Sequence, residues 1–242
     1  MGRLQDKVAV ITGASKGLGR ALAKAYAAEG AKVVANARSE ESLREVVREV
    51  EESGGEALAV AADISKAEGA RRLVEAAVER FGRIDVLVNN AGLLGSRVPL
   101  ADYPEDEWVE VIEANVNGPF FVTKYATPHL SEGASIINLV SGASVGARAN
   151  WGAYSVSKFA VEGFSGNLAL ELKDRGIRVN AVDPGGMRTD MRAAAYPEED
   201  PETKITPEEN TEVFLYLASD DSREVTGERF KAQEFGESLG TA

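Results

Sequence analysis

The sequence contains no cysteine and a single histidine, His129, among its 242 residues. The absence of cysteine excludes disulfides, thiolate nucleophiles and cysteine-ligated metal sites. One histidine is too few for a His-based zinc site, and it argues against a Ser-His-Asp catalytic triad. His129 follows a proline at the expected end of a helix, so we interpret it as a surface residue. We therefore expect no metal site.

The chain also lacks any apolar run close to the roughly 20 residues that a membrane-spanning helix needs. Its first ten residues, MGRLQDKVAV, have no long apolar stretch of the kind that marks a signal peptide. Acidic residues outnumber basic ones by 39 to 27, and the net charge of −12 argues against a nucleic acid or an anionic membrane as partner. A cytoplasmic protein is the simplest interpretation.

Short apolar segments alternate with helical patterns along the chain. The predicted strands are rich in Val, Ile, Leu and Ala, as strands covered on both faces are, and they lie at 8–12, 32–36, 57–63, 85–90, 135–140 and 177–182. The predicted helices lie at about 17–29, 40–53, 66–81, 105–129, 152–175 and 207–219. This alternation predicts an α/β fold of βαβ units around a parallel sheet. The apolar content of 44% suffices for one core, so we expect a single domain, 1–242.

Two helices carry recognisable end signals. Ser65 is the expected N-cap of the third helix, because Glu68 stands three residues later, and Gly82 is expected to end that helix. Thr206 is the expected N-cap of the last helix, because Pro207 and an acidic turn follow it.

A glycine-rich turn separates the first predicted strand from the first helix. Residues 12–19 read TGASKGLG, which from Gly13 is a G-x-x-x-G-x-G pattern. It is neither a P-loop nor the commoner G-x-G-x-x-G. Glycines in such a turn nevertheless let the backbone approach a pyrophosphate, to which the helix N-terminus offers free N–H groups. The alternative is a turn without a ligand, which the position between strand and helix disfavours.

Residues 153–158 read AYSVSK, and in a helix Tyr154 and Lys158 would lie on the same face. A free phenol, with a pKa of about 10, is a poor acid–base group at neutral pH. A neighbouring ammonium favours the phenolate and should lower the pKa of Tyr154. The alternative is a solvent-exposed pair, because surface helices often carry both residue types.

Taken together and in this order, the motifs resemble the classical short-chain dehydrogenase/reductase family, from about residue 4 to about residue 230. TGASKGLG matches the family's cofactor turn, and YSVSK (154–158) matches its YxxxK motif. The further matches are Asp63 after the third strand, the NNAG motif at 89–92, the catalytic asparagine at Asn115, the serine Ser141 thirteen residues before Tyr154, and the segment PGGMRT at 184–189. The resemblance implies a single-domain Rossmann fold whose doubly wound parallel sheet has about seven strands in the order 3-2-1-4-5-6-7, with helices on both faces.

The resemblance also implies an oxidoreductase that transfers a hydride between a nicotinamide and a carbonyl or secondary alcohol. Tyr154 would be the general acid or base, and Lys158 would also hold the nicotinamide ribose. Ser141 would orient the carbonyl, and Ser144 is the less favoured candidate for that role. Asn115 would support a water relay, and it is also expected to bend its helix. The implied cofactor-binding residues are Gly13, Ser15, Lys16, Gly17, Leu18, Gly19, Arg38, Asp63, Ile64, Asn90, Ala91, Gly92, Tyr154, Lys158, Pro184, Gly185, Met187 and Thr189.

The end of the second strand bears on the choice of cofactor. NAD-type members of the family often carry an aspartate at position 37, which here is Ala37, and Arg38 follows it. Lys16 lies in the glycine-rich turn, where NADP-type members often have a basic residue. Two cations and no acid favour NADP(H), while NAD(H) stays possible. The alternative for Arg38 is a solvated residue paired with Glu40 or Glu41.

The chain departs from the family in two places. Segment 192–206 is a short, acidic, proline-rich loop on the substrate side, where the family usually has short helices. We expect 195–209 to be exposed and mobile and the pocket to be open, for bulky or varied carbonyls. The candidate last strand, in 226–235, lacks the family's glycine pair and precedes a polar tail, 236–242. A homo-oligomer, dimer or tetramer, is expected.

Four residues are candidate pocket residues by family position: Leu94, Val145, Trp151 and Gly186. For Leu94 and Trp151 ordinary packing is an equal alternative. A 3-oxoacyl thioester on a carrier protein is an alternative substrate, although 127–133, where such relatives often carry basic residues, has no Lys or Arg. A regulator that binds NADPH with little turnover is the alternative outside the enzyme class. The presence of all four catalytic residues argues against it.

Overall fold

The computed structural model of the protein describes residues 2–235. The strands are β1 (Val8–Thr12), β2 (Lys32–Ala37), β3 (Glu56–Ala61), β4 (Ile84–Asn89), β5 (Leu130–Leu139), β6 (Arg178–Asp183) and β7 (Arg229–Lys231). They form one sheet in the order β3-β2-β1-β4-β5-β6-β7, and every pair of neighbours is parallel. The fold class and strand order expected from the family resemblance are confirmed. The tail 236–242 lies outside the described residues.

The helices are α1 (Gly17–Ala28), α2 (Glu40–Glu52), α3 (Ala67–Phe81), α4 (Glu105–Ile112), α5 (Gly118–Ala126), α6 (Gly152–Leu172), α7 (Asp190–Ala195) and α8 (Glu212–Ala218). Helices α1, α2 and α8 pack on one face of the sheet, and α3, α5 and α6 on the other. Successive residues of β1 serve the two cores in turn: Ala9 and Ile11 face α1, and Val8 and Val10 face the opposite layer. A strand buried on both faces must be apolar throughout, which explains the continuous apolar segments of the sequence.

The helix predicted at 105–129 is interrupted in its middle. A π-helical turn, Glu113–Asn117, separates α4 from α5, and a 3-10 turn, Thr127–His129, ends the run. The buried amide of Asn115 accepts a hydrogen bond from the N–H of Leu93 at 2.7 Å and donates to the carbonyl of Leu93 at 2.9 Å. The wider π turn therefore coincides with a side chain bonded to a neighbouring backbone segment.

The predicted N-cap of α3 is wrong. The helix begins after Lys66 without a side-chain cap, and the N–H of Ser65 donates to the carboxylate of Asp63 at 3.0 Å. Asp63 thus forms a local turn that occupies Ser65 before the helix starts. The predicted end is confirmed, because Gly82 adopts the left-handed conformation with a φ of 81°.

Thr206, the predicted N-cap of the last helix, precedes a short 3-10 turn, Glu208–Asn210, and α8 begins only at Glu212. The N–H of Glu209 donates to Thr206 Oγ1 at 3.3 Å, and the N–H of Thr206 donates to the carboxylate of Glu209 at 2.7 Å. This reciprocal pair is a capping box. The single helix predicted at 207–219 is therefore two elements.

The segment predicted as an irregular acidic loop, 192–206, contains the end of α7 and a 3-10 turn, Pro201–Thr203. The guanidinium of Arg192 donates two hydrogen bonds to the carboxylate of Glu199, at 2.6 and 2.7 Å. Lys204 Nζ lies 3.3 Å from the same carboxylate. The expectation of a loop without helix is corrected, because the acids that resemble an unstructured run have cationic partners in the fold. Among the described residues, no helix combines the length and apolarity that crossing a membrane requires.

Candidate active site

The predicted site segments lie along one edge of the sheet. Each follows the carboxyl end of a strand: the glycine-rich turn follows β1, Arg38 follows β2, Asp63 follows β3, Asn90 follows β4, Ser141 follows β5, and Pro184 follows β6. The strand order reverses between β1 and β4, and the carboxyl edge at such a reversal is where open α/β sheets bind ligands. The topology alone therefore brings together segments that are far apart in sequence.

The glycine-rich turn is packed tightly on its inner side. A Cβ atom at Gly13, whose φ is +66°, would lie 2.8 Å from the Cα of Ala91, and one at Gly19 would lie 2.2 Å from the carbonyl oxygen of Gly13. Gly17 has a φ of +54°, and its nearest neighbour would be the Thr189 methyl group at 3.5 Å. No side chain caps the N-terminus of α1. Tight glycine packing behind an uncapped helix N-terminus fits the pyrophosphate of a dinucleotide.

Thr12, which the sequence did not single out, holds this turn to the segment after β4. Its hydroxyl oxygen accepts hydrogen bonds from the N–H groups of Asn90 and Ala91, both at 3.0 Å. The side-chain amide of Asn90 donates in return to the carbonyl of Thr12 at 2.8 Å and to that of Gly13 at 3.2 Å. Asn90 therefore supports the turn, and the signal for Thr12 was its place at the last position of β1.

Two cations flank the expected adenosine end. Arg38 is exposed, and its nearest carboxylate belongs to Glu110, at 3.9 Å. The predicted alternative partner Glu40 instead pairs with Arg44 at 2.6 Å. Lys16 Nζ lies 3.0 Å from the carboxylate of Asp190, also in an exposed pair. Exposed pairs contribute little free energy, so Arg38 and Lys16 remain available to an anionic ligand.

Tyr154 and Lys158 lie on the first two turns of α6, as their spacing predicts. Lys158 is buried, so the alternative of a solvent-exposed pair is wrong. Its Nζ donates to the carbonyl of Leu139 at 2.8 Å and lies 5.7 Å from the centre of the Tyr154 ring. The Ser141 hydroxyl lies close enough to the Tyr154 phenol to lower its pKa. The fold therefore places a phenol, a hydroxyl and an ammonium in one cluster.

Ser144 is turned away from this cluster. Its hydroxyl lies 2.5 Å from the carbonyl of Ser141 and 2.7 Å from the carboxylate of Glu162. Asn115 adjoins the cluster from the other side, since its amide donates to Ser157 Oγ at 3.0 Å. A Cβ atom at Gly92 would lie 3.2 Å from Asn115 Oδ1 and 3.8 Å from Lys158 Nζ. Asn115, Gly92 and Lys158 are thus immediate neighbours.

Burial governs the protonation of this cluster. It raises the pKa of the Tyr154 phenol, against a lowering by the hydrogen bond with Ser141 and with a further increase from the Asp183 carboxylate. Burial also lowers the pKa of Lys158 to about 8, while Asp183 and Glu162 act in the opposite direction. The predicted net lowering of the Tyr154 pKa is wrong for the protein chain alone, because burial disfavours the phenolate and outweighs the groups that favour it.

A half-buried ionic network lies behind Ser141, and sequence reasoning missed it. Arg229 Nε donates to the carboxylate of Glu162 at 2.8 Å. Its Nη2 donates to Asp183 at 3.1 Å and to the carbonyl of Ser141 at 3.3 Å. Asp183 directly precedes the PGGMRT segment, which is a signal that could have found it. Arg229 offered no such signal, because its partners are 46 and 67 residues away.

An aromatic cluster adjoins Tyr154 on the expected substrate side. The centre of the Trp151 ring lies 5.6 Å from that of Tyr154 and 6.1 Å from that of Tyr196, which follows α7. Leu94 packs in the same cluster. Two other candidate pocket residues differ: Val145 is 64% exposed, and a Cβ at Gly186 would lie 3.3 Å from the Arg192 guanidinium carbon. The expected open pocket instead has the end of α7 packed on Trp151.

The chain is similar to known oxidoreductases over most of its length. The profile of the family described as short chain dehydrogenase matches residues 7–200. The oxidoreductase YciK of Escherichia coli (strain K12) is 40% identical, over 95% of this chain and 93% of that protein. The 3-oxoacyl-[acyl-carrier-protein] reductase FabG of Thermotoga maritima is 38% identical, over 93% and 96%. A crystal structure of a short chain dehydrogenase of Escherichia coli CFT073, complexed with NADPH, superposes with a TM-score of 0.90 at 40% identity, covering 95% of this chain and 98% of that one.

Proposed function

This chain belongs to the short chain dehydrogenase family and is an oxidoreductase, and from that premise we propose that it transfers a hydride between NADP(H) and a carbonyl compound or secondary alcohol. The observation that carries the proposal is the cluster of Tyr154, Ser141 and Lys158 beside a glycine-rich turn that fits a pyrophosphate. The cofactor supplies or accepts the hydride when it is bound.

In this proposal, the protein's own groups handle the proton and the developing charge. The hydroxyls of Ser141 and Tyr154, which lie close together, orient the substrate oxygen between them. Because burial raises the pKa of Tyr154, the phenol is protonated at neutral pH and can donate during reduction. The buried Lys158 ammonium next to it stabilises the phenolate that remains. Asn115 keeps its proposed role in a water relay that returns the proton to Tyr154.

The proposed cofactor-binding residues are those of the sequence prediction, from Gly13 in the first turn to Thr189 after β6. Arg38 and Lys16 would contact a 2′-phosphate, and Ala37 offers no carboxylate to the 2′-hydroxyl of NAD(H). A related short chain dehydrogenase that binds NADPH supports the preference for NADP(H). Binding of NAD(H) remains the weaker alternative.

Substitution of the proposed acid tests the reaction. We expect Tyr154→Phe to lower kcat by about 100-fold or more, because the proton donor is removed, while the affinity for NADPH is retained. The measurement follows the loss of NADPH absorbance, with NADH in parallel, over aldehydes, ketones, diketones, quinones and 3-oxoacyl thioesters. Tyr125→Phe, on α5, is the matched control. A Tyr154→Phe enzyme that retains its turnover would contradict the assignment.

The same panel separates the alternative functions. Wild-type protein that binds NADPH tightly but reduces no carbonyl would favour the sensor. A strong preference for 3-oxoacyl thioesters would favour the fatty-acid type of reductase, which the relative in Thermotoga maritima supports. The absence of Lys and Arg from 127–133 disfavours an acidic carrier protein as partner. A cytoplasmic location stays a prediction of the sequence.

A further inference from the structure

Arg97 lies on the substrate side of the site, in the segment after β4. Its guanidinium carbon is 4.7 Å from the centre of the Trp151 ring and 4.9 Å from that of the Tyr196 ring. Trp151 in turn lies 5.6 Å from Tyr154, centre to centre. The guanidinium carbon is therefore at most about 10 Å from the centre of the Tyr154 ring, the sum of the two distances through Trp151. The two groups are therefore close enough for one small organic substrate to contact both.

The donors of Arg97 are only partly used. Its Nη1 donates to the carbonyl of Ala195 at the end of α7, whereas its Nε is buried and has no hydrogen-bond partner. Within the described residues it forms no ion pair, although the neighbouring Arg192 and Arg188 pair with Glu199 and Glu202. Such an arginine is unexpected in a chain with 39 acidic residues and a net charge of −12.

The geometry of a guanidinium explains what Arg97 can bind. Its five N–H donors lie in one plane, while its flat faces stack on aromatic rings. Trp151 and Tyr196, whose ring centres are 6.1 Å apart, both lie beside the guanidinium and hold it through cation–π contacts. The edge of the plane remains for an acceptor, and a carboxylate accepts two parallel hydrogen bonds from it.

On the basis of the proposed function, we propose that Arg97 binds a carboxylate on the substrate, so that the enzyme prefers carbonyl compounds that carry an acidic group. With the carbonyl at Tyr154 and the carboxylate at Arg97, the spacer between these two groups is at most about one aromatic ring long. A buried donor without an acceptor is destabilising, and a bound carboxylate supplies the acceptor that the unpartnered Nε lacks.

A purely structural role for Arg97 is the competing explanation. The hydrogen bond to Ala195 and the contact with Tyr196 would then only fasten α7 to the segment after β4. That role accounts for Nη1 but leaves Nε without a partner. A second competitor is Arg148, an exposed arginine whose Nη2 lies 3.5 Å from the position that a Cβ of Gly142 would occupy, one residue from Ser141.

The test compares pairs of substrates that differ only in charge. The meta and para isomers of formylbenzoate and their methyl esters are reduced with NADPH, and kcat/KM of each acid is divided by that of its ester. We expect this ratio to fall about 10- to 100-fold in Arg97→Met, chiefly through KM of the acid, because hydrogen bonds to a charged group are lost. Methionine keeps contact with the aromatic rings.

Two further variants sharpen the result. Arg97→Lys keeps the charge but loses the planar fork, so its ratio should lie between those of the wild type and Arg97→Met. Arg148→Met removes a nearby charge outside the aromatic cluster, and we expect its ratio to change by less than about twofold. A ratio that falls in Arg148→Met and not in Arg97→Met assigns the anion to Arg148 and overturns the proposal.

Equal losses of kcat/KM for acid and ester in Arg97→Met would show that Arg97 has a purely structural role, and they would also overturn the proposal. Failure of the proposed function gives a different result, namely no turnover of any carbonyl by the wild type. In that event, calorimetry with the corresponding hydroxymethylbenzoates, their methyl esters and the NADP⁺-loaded protein shows, without need of catalysis, whether Arg97 binds the carboxylate. Tighter binding of the acid than of its ester, lost in Arg97→Met, supports the assignment, and equal binding refutes it.

Discussion

At the scale of single residues, Lys158 is a charged side chain that the fold buries, although charged groups ordinarily remain in water. Its side chain is buried, and burial lowers its pKa from 10.5 to about 8. The carbonyl of Leu139 is the hydrogen-bond acceptor of its ammonium group, at 2.8 Å. A buried ammonium costs free energy that an apolar side chain would not. We interpret this cost as the consequence of placing a cation beside the phenol.

Replacement of this lysine should therefore stabilise the fold. We expect Lys158→Met to raise the free energy of unfolding at pH 7 by about 1–3 kcal/mol. Between the folded pKa of about 8 and the unfolded value of 10.5, the unfolded wild type binds more protons than the native state, so wild-type stability rises with pH. The advantage of Lys158→Met should accordingly shrink from pH 8 to pH 10.5.

Urea unfolding at pH 7 and pH 10 measures both effects. Lys173→Met, in the exposed turn that follows α6, is the matched control, and its free energy of unfolding should change by less than about 0.5 kcal/mol. A Lys158→Met variant that is less stable than the wild type at pH 7 would show that the hydrogen bond to Leu139 outweighs the cost of burial.

At the scale of secondary-structure elements, the network of Arg229, Glu162 and Asp183 joins three elements behind Ser141. Arg229 lies on β7, Glu162 on α6 one turn after Lys158, and Asp183 at the end of β6. The guanidinium also donates to the carbonyl of Ser141. The short strand β7 therefore places a positive charge next to two carboxylates that lie close to Tyr154 and Lys158. Arg148, whose guanidinium approaches Gly142, is a further cation on this side.

Removing the positive charge of this network and removing one of its negative charges should shift the pH profile of kcat/KM in opposite directions. In Arg229→Met, the carboxylates of Asp183 and Glu162 lose their partner, so we expect the pKa of Tyr154 to rise further. In Asp183→Asn, one source of that increase is lost, and the pKa should fall. The pH dependence of kcat/KM for alcohol oxidation, which reports the pKa of the base, should move up in the first variant and down in the second.

The two variants control for each other, because a purely structural lesion would lower activity without moving the pH profile in opposite directions. Asparagine also retains an acceptor for the N–H of Gly185, which donates to Asp183 at 3.0 Å. Shifts in the same direction, or none in either variant, would show that the network supports the fold without setting the protonation of Tyr154.

At the scale of the whole molecule, one face of α6 lacks a partner within the described chain. Phe159 is 45% exposed and Leu170 is 78% exposed, and a Cβ at Gly163 or Gly166, which lie between them, would meet no atom within 4 Å. The spacing of these residues places them along one side of the helix. An apolar helix face with glycines that permit close approach supports the expected homo-oligomer.

Charge on this face should separate the subunits. We expect Leu170→Glu combined with Phe159→Glu to give a lower mass in light scattering than the wild type, because apolar contact area is replaced by repelling carboxylates. Leu100→Glu is the matched control, since Leu100 is 63% exposed and lies on a separate 3-10 turn, Leu100–Asp102. A wild-type protein that is already monomeric would refute the expected dimer or tetramer.

Much of the molecule could be predicted from local patterns. Apolar strands, helical periodicity, the glycines of residues 12–19 and the spacing of Tyr154 and Lys158 are properties of short segments, so one sequence suffices to find them. The resemblance to the family then ordered the strands. The bend at Asn115 was expected, but its form as a π turn was not, because that turn coincides with hydrogen bonds to Leu93, more than twenty residues away. Ser65 is not the N-cap because the helix begins one residue later, after Lys66, and the Ser65 N–H instead donates to the carboxylate of Asp63.

The sequence by itself determined the alternation of elements and the chemical types at the site, because each follows from neighbours within a few residues. Only the tertiary structure decided the protonation of Tyr154 and Lys158, since burial is a property of the packed core and here outweighs the expected effect of one group on the other. It also decided that Arg229 lies behind Ser141 and that Arg97 contacts both Trp151 and Tyr196. Those contacts join residues from distant elements, and only the folded sheet brings them within reach.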